Sequence, residues 1–358
     1  MVSEHDAAFA PRSGPEPYRL LNDDGTLRGP AALSDADALA AFRLMLLTRR
    51  FDAKGASLQR QGRFGTFSQV SGQEASVVGS AFAIDPTRDW VVPQYRELPA
   101  LLRQGYPLAN FARYFRGDPA GGTIPPGVNM LPIQISIAAH LPHAVGLAWG
   151  LRRRGTDAVA LCYFGDGASS EGDFHEACNL AGLVKAPVIF FLQNNGWAIS
   201  TPRAQQSAGF TLAERAPAYG FAGELVDGND LFAVHDVTTR AVARARRGEG
   251  PTLIESITRR MGPHNTADDP TRYVDPAEDE RWRARDPLDR TRRYLDARGL
   301  LDDARMAELE RETTATIERA LADADTAAPL DADRLFAHVY ADPPQRMLRQ
   351  RAAKREDA

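Results

Sequence analysis

The sequence has little cysteine and no long apolar run. Its 358 residues include two cysteines, Cys162 and Cys178, which are too few for the disulfide framework of a small secreted protein. No stretch approaches the roughly 18 uninterrupted apolar residues of a membrane-spanning helix, and the first residues lack the apolar segment of a secretory signal. We therefore expect a cytoplasmic protein without a membrane partner.

Neither sign of charge predominates. The chain carries 43 Lys and Arg against 47 Asp and Glu, a formal net charge of −4 at pH 7. Without a basic patch, the sequence offers no electrostatic surface for nucleic acid. A G-x-G-x-x-G segment that opens a helix is also missing, which counts against a Rossmann-type dinucleotide site. The 43% hydrophobic content is that of a chain able to build one large α/β core.

Two short apolar runs bracket the most informative segment. The run AVALCYF (residues 158–164) is typical of a buried parallel strand and ends at Gly165-Asp166-Gly167. The run VIFFLQ (residues 188–193) is a second such strand and ends at Asn194-Asn195. Between them lies a helical pattern with apolar residues at Phe174, Ala177, Ala181 and Val184, for which Ser169 or Ser170 is placed as the N-cap. The pattern predicts a βαβ unit.

The polar residues that end these two strands indicate a metal–diphosphate site. A right-handed crossover returns the second strand parallel to the first, so Asp166 and Asn195 emerge at the same edge of the sheet. Their oxygens suit Mg²⁺, which prefers octahedral oxygen coordination and keeps substrate phosphates among its ligands. Gly165 and Gly167 would let the backbone approach those phosphates.

The rest of the chain reads as one domain with extensions. We expect an irregular arm over residues 1–33, an α/β domain over 34–340 with C-terminal helices from about residue 275, and a tail over 341–358. Ser34 and Asp37 form a capping-box pattern that opens a helix ending at Gly62. A helical period over 230–247 is followed by the strand TLIESIT.

Several further segments carry a family resemblance that runs from about residue 39 to 340. They are QRQGRFGTF (59–67), SGQEA (71–75), PQYREL (93–98), PPGVNMLPIQIS (125–136), QNNGWAIST (193–201), VDGND (226–230) and GPHNTADDPTRY (262–273). With the GDG and NN motifs, they resemble the alpha subunit of the thiamine-diphosphate-dependent, decarboxylating component of 2-oxo acid dehydrogenases. The resemblance implies the thiamine-diphosphate-binding fold, a mostly parallel sheet flanked by helices.

The resemblance also implies roles for individual residues. Asp166, Asn195 and the Trp197 carbonyl would hold Mg²⁺, and Tyr95, Arg96, Gln193 and His264 would surround the diphosphate, with Gly165, Gly167 and Ala168 beside it. Ile135 and Ile137 would contact the aminopyrimidine through their backbone, Phe67 would line the acyl pocket, and His264 would transfer protons. Trp197 stands where relatives have Tyr or Phe, and Val274 stands where they commonly have Arg. We assign Val274 no role.

Four of these positions also have a simpler interpretation. Asp166, taken alone, could form a structural turn after a strand, and Arg96 could be a surface ion-pair partner. His264 could be an exposed loop residue, and Phe67 a core aromatic. The fork of donors on a guanidinium favours the diphosphate role for Arg96.

For function, we expect oxidative decarboxylation of pyruvate with acyl transfer to a lipoyl group of an acyltransferase. The resemblance implies a beta subunit that supplies the activating glutamate, in an assembly of two alpha and two beta chains. Three alternatives stay open: a branched-chain 2-oxo acid dehydrogenase acting on 3-methyl-2-oxobutanoate, an acetoin dehydrogenase, and a non-catalytic nucleotide-binding or scaffold subunit.

Overall fold

A five-stranded parallel sheet forms the centre of the chain. The computed structural model describes residues 14–326, 332–337 and 339–356. The strands of the sheet are β1 Trp90–Val92, β2 Ala160–Gly165, β3 Val188–Asn194, β6 Ala222–Asp227 and β7 Thr252–Ile257. They lie in the order β1-β2-β3-β7-β6, with every neighbouring pair parallel. A short antiparallel hairpin, β4 Trp197–Ala198 and β5 Thr201–Pro202, follows β3.

Helices surround the sheet, so the predicted α/β class is confirmed. In chain order they are α1 Asp35–Arg60, α2 Glu74–Phe82, α3 Leu98–Gln104, α4 Leu108–Phe115, α5 Leu141–Arg153, α6 Gly172–Val184, α7 Arg203–Gln206, α8 Leu231–Arg246, α9 Pro276–Arg283, α10 Pro287–Ala297, α11 Asp303–Asp325, α12 Ala332–Phe336 and α13 Gln345–Glu356. Among the described residues, no helix has the length and apolar character needed to cross a membrane.

Alternate residues of the central strands enter two separate hydrophobic cores. Leu161 and Tyr163 of β2 face the larger core, whereas Cys162 and Phe164 face the smaller one. Because both faces of the sheet are covered, these strands read as continuous apolar runs instead of alternating ones. Cys162 and Cys178 are free and buried, and burial raises the pKa of both thiols.

The predicted βαβ unit is present, but its helix begins differently from expectation. Strands β2 and β3 are parallel neighbours, with Gly165 opposite Gln193. The prediction that Ser169 or Ser170 caps the following helix is wrong, because residues Asp166–Ser170 form a 3₁₀ turn of their own. The Ser169 hydroxyl donates to the Asp166 carbonyl within this turn, at 2.7 Å. Glu171 therefore occupies the N-cap position of α6 and makes no side-chain capping bond.

The other element boundaries follow their sequence signals. The Ser34 hydroxyl accepts from the Asp37 amide and caps α1, and Gly62 takes the positive φ of 72° just beyond the end of that helix. Asp230 caps α8 by accepting from the Ala233 amide. The Ser34 cap and the helix predicted over 230–247 are confirmed, and the Ser34 hydroxyl also donates to the Asp37 carboxylate at 2.7 Å.

The N-terminal arm, from residue 14 onward, packs against the edge of the sheet. The Tyr18 amide donates to the Leu225 carbonyl of β6, and the Asp227 amide donates to the Tyr18 carbonyl, both at 3.0 Å. Leu21 is fully buried, and its amide donates to the Asp230 carboxylate at 2.6 Å. Residues 1–13 of the predicted arm lie outside the described residues.

A buried ion cluster fastens this arm to the C-terminal helices. Arg290 of α10 is fully buried and contacts Asp227 at 3.0 Å, and it also donates to the Leu21 carbonyl. Arg285 and Arg19 contact the same carboxylate at 2.8 Å and 3.2 Å. Arg290 therefore links the arm, the end of β6 and α10.

We expect Arg290→Ala to lower the free energy of unfolding by about 1–3 kcal/mol, because the Leu21 carbonyl loses its buried donor while Asp227 keeps Arg19 and Arg285 as partners. Urea denaturation followed by circular dichroism measures the loss. Arg292→Ala is the control: Arg292 lies on the same helix, and its partner Asp303 is almost fully exposed, so the expected loss is below about 1 kcal/mol. Equal losses in the two variants would show that the cluster is not what stabilises the arm.

Candidate active site

One large cavity opens at the carboxyl ends of β1, β2 and β3. Its volume is about 1090 Å³, just above the usual range of roughly 300–1,000 Å³ for ligand and cofactor sites. Nearly every residue singled out in the sequence lines it. These are Tyr95, Arg96, Ile135, Ile137, Gly165, Asp166, Gly167, Ala168, Gln193, Asn195, Trp197 and His264. The topology brings them together because parallel strands deliver their following loops to one edge.

Asp166 places a buried carboxylate at the end of β2. It is 1% exposed. Its Oδ2 accepts from the Gln206 side-chain amide at 2.7 Å, while its Oδ1 has no partner. Burial raises the pKa of Asp166, and the hydrogen bond from Gln206 opposes that rise. A buried carboxylate oxygen without a donor is costly in a protein, so a cation at this position fits the residues present.

Asn195 and Trp197 lie beside this carboxylate in the turn after β3. The Asn195 Nδ2 donates to the Gln73 side-chain carbonyl, and the Asn195 Oδ1 accepts from the Trp197 amide, both at 3.2 Å. Among the described residues, no three His, Cys, Asp or Glu side chains are grouped as a metal site. A cation here would therefore depend on one carboxylate together with amide and backbone oxygens, a donor set that suits Mg²⁺.

The two glycines of the GDG turn have different reasons for being glycine. A Cβ on Gly167 would lie 2.8 Å from the Ala198 Cβ, so its absence lets the hairpin β4–β5 approach the turn. Gly165 has an ordinary φ of −87° and open space where a Cβ would stand. The close approach of Ala198 therefore requires glycine at position 167, and the sequence pattern did not predict this contact.

Arg96 is buried without an anionic partner. It is 6% exposed and donates to the Gln69 carbonyl at 2.5 Å and to His264 Nδ1 at 3.1 Å. No carboxylate among the described residues forms a salt bridge with it, and burial lowers its pKa. The surface ion-pair interpretation of Arg96 is therefore wrong, and an anionic ligand such as a diphosphate would supply the missing countercharge.

Glu97 is a buried carboxylate that is absent from the sequence-predicted set. Its Oε2 accepts from the Gln94 and Arg96 amides, both at 2.9 Å, and its Oε1 accepts from the Gln193 side chain at 2.7 Å. Burial raises its pKa to about 7. Glu97 thereby ties the loop after β1 to the end of β3. The signal in the sequence is a lone acidic residue between a strand and a helix, which by itself does not separate burial from exposure.

His264 is held as a neutral imidazole at the cavity wall. Arginine has no acceptor, so the contact from Arg96 makes Nδ1 an acceptor and leaves the ring proton on Nε2. Burial, reinforced by Arg96 and Arg260, lowers the His264 pKa to about 4. Its backbone amide donates to Asp268 at 2.6 Å, and the Tyr273 hydroxyl donates to the same carboxylate. These bonds order the loop that carries the imidazole.

Phe67 is the one predicted residue that does not line the cavity. It is 1% exposed, and its ring packs on Phe115 at a centroid distance of 5.0 Å and on Phe51 at 6.2 Å. Its neighbours Thr66 and Ser68 line the cavity in its place. The assignment of Phe67 to the acyl pocket is therefore corrected to the aromatic core.

Ile135 and Ile137 lie on the open side of the cavity. They are 56% and 40% exposed, which is unusual for two apolar, β-branched residues so close together. The next residue, Ala138, is fully buried with a positive φ of 63°. The segment thus presents apolar side chains outward at the cavity mouth.

Comparison with known proteins shows the family to which this chain belongs. Residues 42–333 match the family described as the dehydrogenase E1 component. The chain belongs to this family. It is 41% identical over 339 residues to the pyruvate dehydrogenase E1 component subunit alpha of Staphylococcus epidermidis, and 42% identical over 339 residues to that of Staphylococcus aureus. Each alignment covers 94% of this chain and 91% of the relative.

Membership in the dehydrogenase E1 family confirms the resemblance inferred from the sequence motifs. The family match begins within α1 and ends within α12, so it includes the whole parallel sheet and every predicted residue of the cavity. Dehydrogenase E1 components depend on thiamine diphosphate. The chain is accordingly the alpha subunit of a thiamine-diphosphate-dependent 2-oxo acid dehydrogenase E1.

Proposed function

We propose that this chain, with a beta subunit, oxidatively decarboxylates pyruvate and passes the acyl group to a lipoyl group of an acyltransferase. One observation gives the strongest support for this chemistry. The cavity is lined both by Asp166, whose buried Oδ1 has no donor, and by Arg96, whose buried guanidinium has no anionic partner. The choice of pyruvate is supported by the names of the relatives from both Staphylococcus species.

In this proposal Mg²⁺ is held by Asp166, Asn195 and the Trp197 carbonyl. Arg96, Tyr95 and Gln193 surround the diphosphate, beside the backbone of residues 165–168. The backbone at Ile135 and Ile137 supports the aminopyrimidine. When bound, thiamine diphosphate supplies the carbon nucleophile for the 2-oxo group and a sink for the electron pair released with carbon dioxide.

The protein groups orient the reactants and move protons. The Arg96 guanidinium offers a fork of charged donors to phosphate oxygens, which fixes the register of the cofactor in the cavity. The neutral His264 holds its proton on Nε2, from which it donates a hydrogen bond to the oxygen of the reacting carbonyl or to the incoming lipoyl sulfur. Glu97 holds Gln193 and the Arg96 backbone in place.

A beta subunit would complete the site. The open side of the cavity carries the exposed Ile135 and Ile137, and burying them against a second chain would exclude water from the reaction. By the family resemblance, that chain contributes the glutamate that activates the cofactor. We propose an assembly of two alpha and two beta chains, with the lipoyl-bearing acyltransferase as the next acceptor.

The substrate is tested by a dye-coupled assay of the co-expressed alpha and beta chains with Mg²⁺ and thiamine diphosphate. We expect kcat/KM for pyruvate to exceed that for 3-methyl-2-oxobutanoate by about 10-fold or more, since each methylene changes discrimination by about 10- to 200-fold. A preference for the branched acid, or for acetoin in a third arm, would reassign the substrate. An assembly that binds no thiamine diphosphate would support a scaffold role instead.

A further inference from the structure

Gln206 contacts the carboxylate proposed to bind the metal, although no motif in the sequence marks it. It is the last residue of α7, the short helix that follows the hairpin β4–β5. Its Nε2 donates to Asp166 Oδ2 at 2.7 Å and to the Thr201 carbonyl at 3.1 Å. Gln206 itself lines the cavity.

These contacts fix which end of the amide faces Asp166. The nitrogen has two acceptors, one from a carboxylate and one from a backbone carbonyl. A flipped amide would place its oxygen against two other oxygens, which is repulsive. The Gln206 Oε1 is buried and has no partner among the described residues. The donor end of the side chain is therefore committed to Asp166.

Because of this contact, only one of the two carboxylate oxygens of Asp166 has a hydrogen-bond donor. Oδ2 is occupied by the amide, whereas Oδ1 is buried and without a donor. A carboxylate free to rotate would offer either oxygen or both to a cation. Mg²⁺ requires near-ideal octahedral geometry at short distance, so a carboxylate held with one oxygen free is better prepared than a mobile one.

We propose that Gln206 is a positioning residue that holds Asp166 as a single-oxygen ligand for the divalent cation. This inference rests on the proposed function, since it takes Asp166 to be a metal ligand. A short stretch of chain joins Gln206 to two of the proposed ligands, Asn195 and Trp197. The chain runs from the turn after β3 through the hairpin β4–β5 directly into α7. The contact between Gln206 and Asp166 thus ties this stretch of chain to the end of β2.

If Gln206 positions Asp166, replacing Gln206 should lower the affinity of the site for a divalent cation. Groups that orient a metal ligand typically contribute about 10- to 100-fold to affinity. We expect Gln206→Met, which keeps the volume but has no amide, and Gln206→Ala to weaken Mn²⁺ binding by about 10- to 100-fold. At saturating Mn²⁺, the affinity for thiamine diphosphate should return to within about threefold of wild type, because the effect passes through the metal ligand Asp166.

The experiment uses the purified alpha–beta assembly with saturating thiamine diphosphate. Mn²⁺ is titrated, and the electron paramagnetic resonance signal of free Mn²⁺ gives the dissociation constant. Gln61→Ala is the control, since Gln61 is exposed just beyond α1, and circular dichroism verifies the fold of each variant. Mn²⁺ affinity within about twofold of wild type in both Gln206 variants, or tighter than wild type, would overturn the inference. If the wild-type assembly itself fails to bind Mn²⁺ with thiamine diphosphate, the proposed function fails instead.

Discussion

Replacing Asp166 by alanine is expected to abolish retention of thiamine diphosphate while the fold stays intact. The carboxylate supplies the one charged side chain among the three proposed Mg²⁺ ligands, and its Oδ1 has no other partner. Because even groups that only orient a ligand contribute about 10- to 100-fold to metal affinity, loss of the ligand itself should weaken binding by more than about 100-fold. Isothermal titration of the alpha–beta assembly with thiamine diphosphate in the presence of Mg²⁺ measures the change.

The fold should survive this substitution because it replaces a buried carboxylate, whose charged form is poorly solvated, by a small apolar side chain. The Asp166 carboxylate accepts a side-chain hydrogen bond from Gln206, and burial raises its pKa, so the charged form already lies in an unfavourable environment. Asp173→Ala is the matched control, since Asp173 is an exposed aspartate in the first turn of α6. An Asp166→Ala protein with unaltered affinity for thiamine diphosphate would show that the metal is held elsewhere.

Substitution of His264 is expected to lower kcat by about 10²- to 10⁴-fold, which is the usual contribution of a positioned proton-transfer group. Two conservative variants separate the roles of the two ring nitrogens. Gln places an N–H donor near the position of Nε2, whereas Asn mimics Nδ1, the nitrogen that accepts from Arg96. We expect His264→Gln to retain more activity than His264→Asn, measured as kcat in the dye-coupled assay. The reverse order would mean that the contact with Arg96 is what matters.

The low pKa of His264 also predicts how activity and stability respond to pH. With its pKa lowered to about 4 by burial, Arg96 and Arg260, the imidazole stays neutral from pH 5 to pH 8, so His264 should add no inflection to kcat/KM over this range. The ordinary pKa of 6.5 means that the unfolded chain takes up the proton first as the pH falls. The contribution of His264 to stability is therefore constant above about pH 6.5 and decreases towards pH 4.

The sequence predicted the parts of this molecule that depend on local patterns. Continuous apolar runs located β2 and β3 because both faces of the sheet are covered, and parallel pairing then brought Asp166 and Asn195 to one edge. The capping residue Ser34 marked the start of α1 for a similar reason, since its hydrogen bond to the Asp37 amide is made within one turn.

Features that depend on distant contacts were not predictable in this way. Gln206 reaches Asp166 across 40 residues of sequence, and Glu97 reaches Gln193 across 96. Phe67 lies beside cavity residues in the sequence, yet its ring points into an aromatic cluster formed with Phe51 and Phe115. Polar side chains such as Glu97 and Gln206 give no periodic signal, so their burial emerges only from the folded chain.

Pyruvate decarboxylation, measured with components omitted one at a time, is the most direct test of the metal–diphosphate site. The purified alpha–beta assembly, thiamine diphosphate, Mg²⁺, pyruvate and an artificial electron acceptor form the complete reaction. We expect the complete reaction to turn over and to stop when the alpha chain, the beta chain, the cofactor or the metal is left out. Turnover by the alpha chain alone, or none by the complete assembly with any 2-oxo acid, would contradict a metal–diphosphate site in this chain that a beta subunit completes.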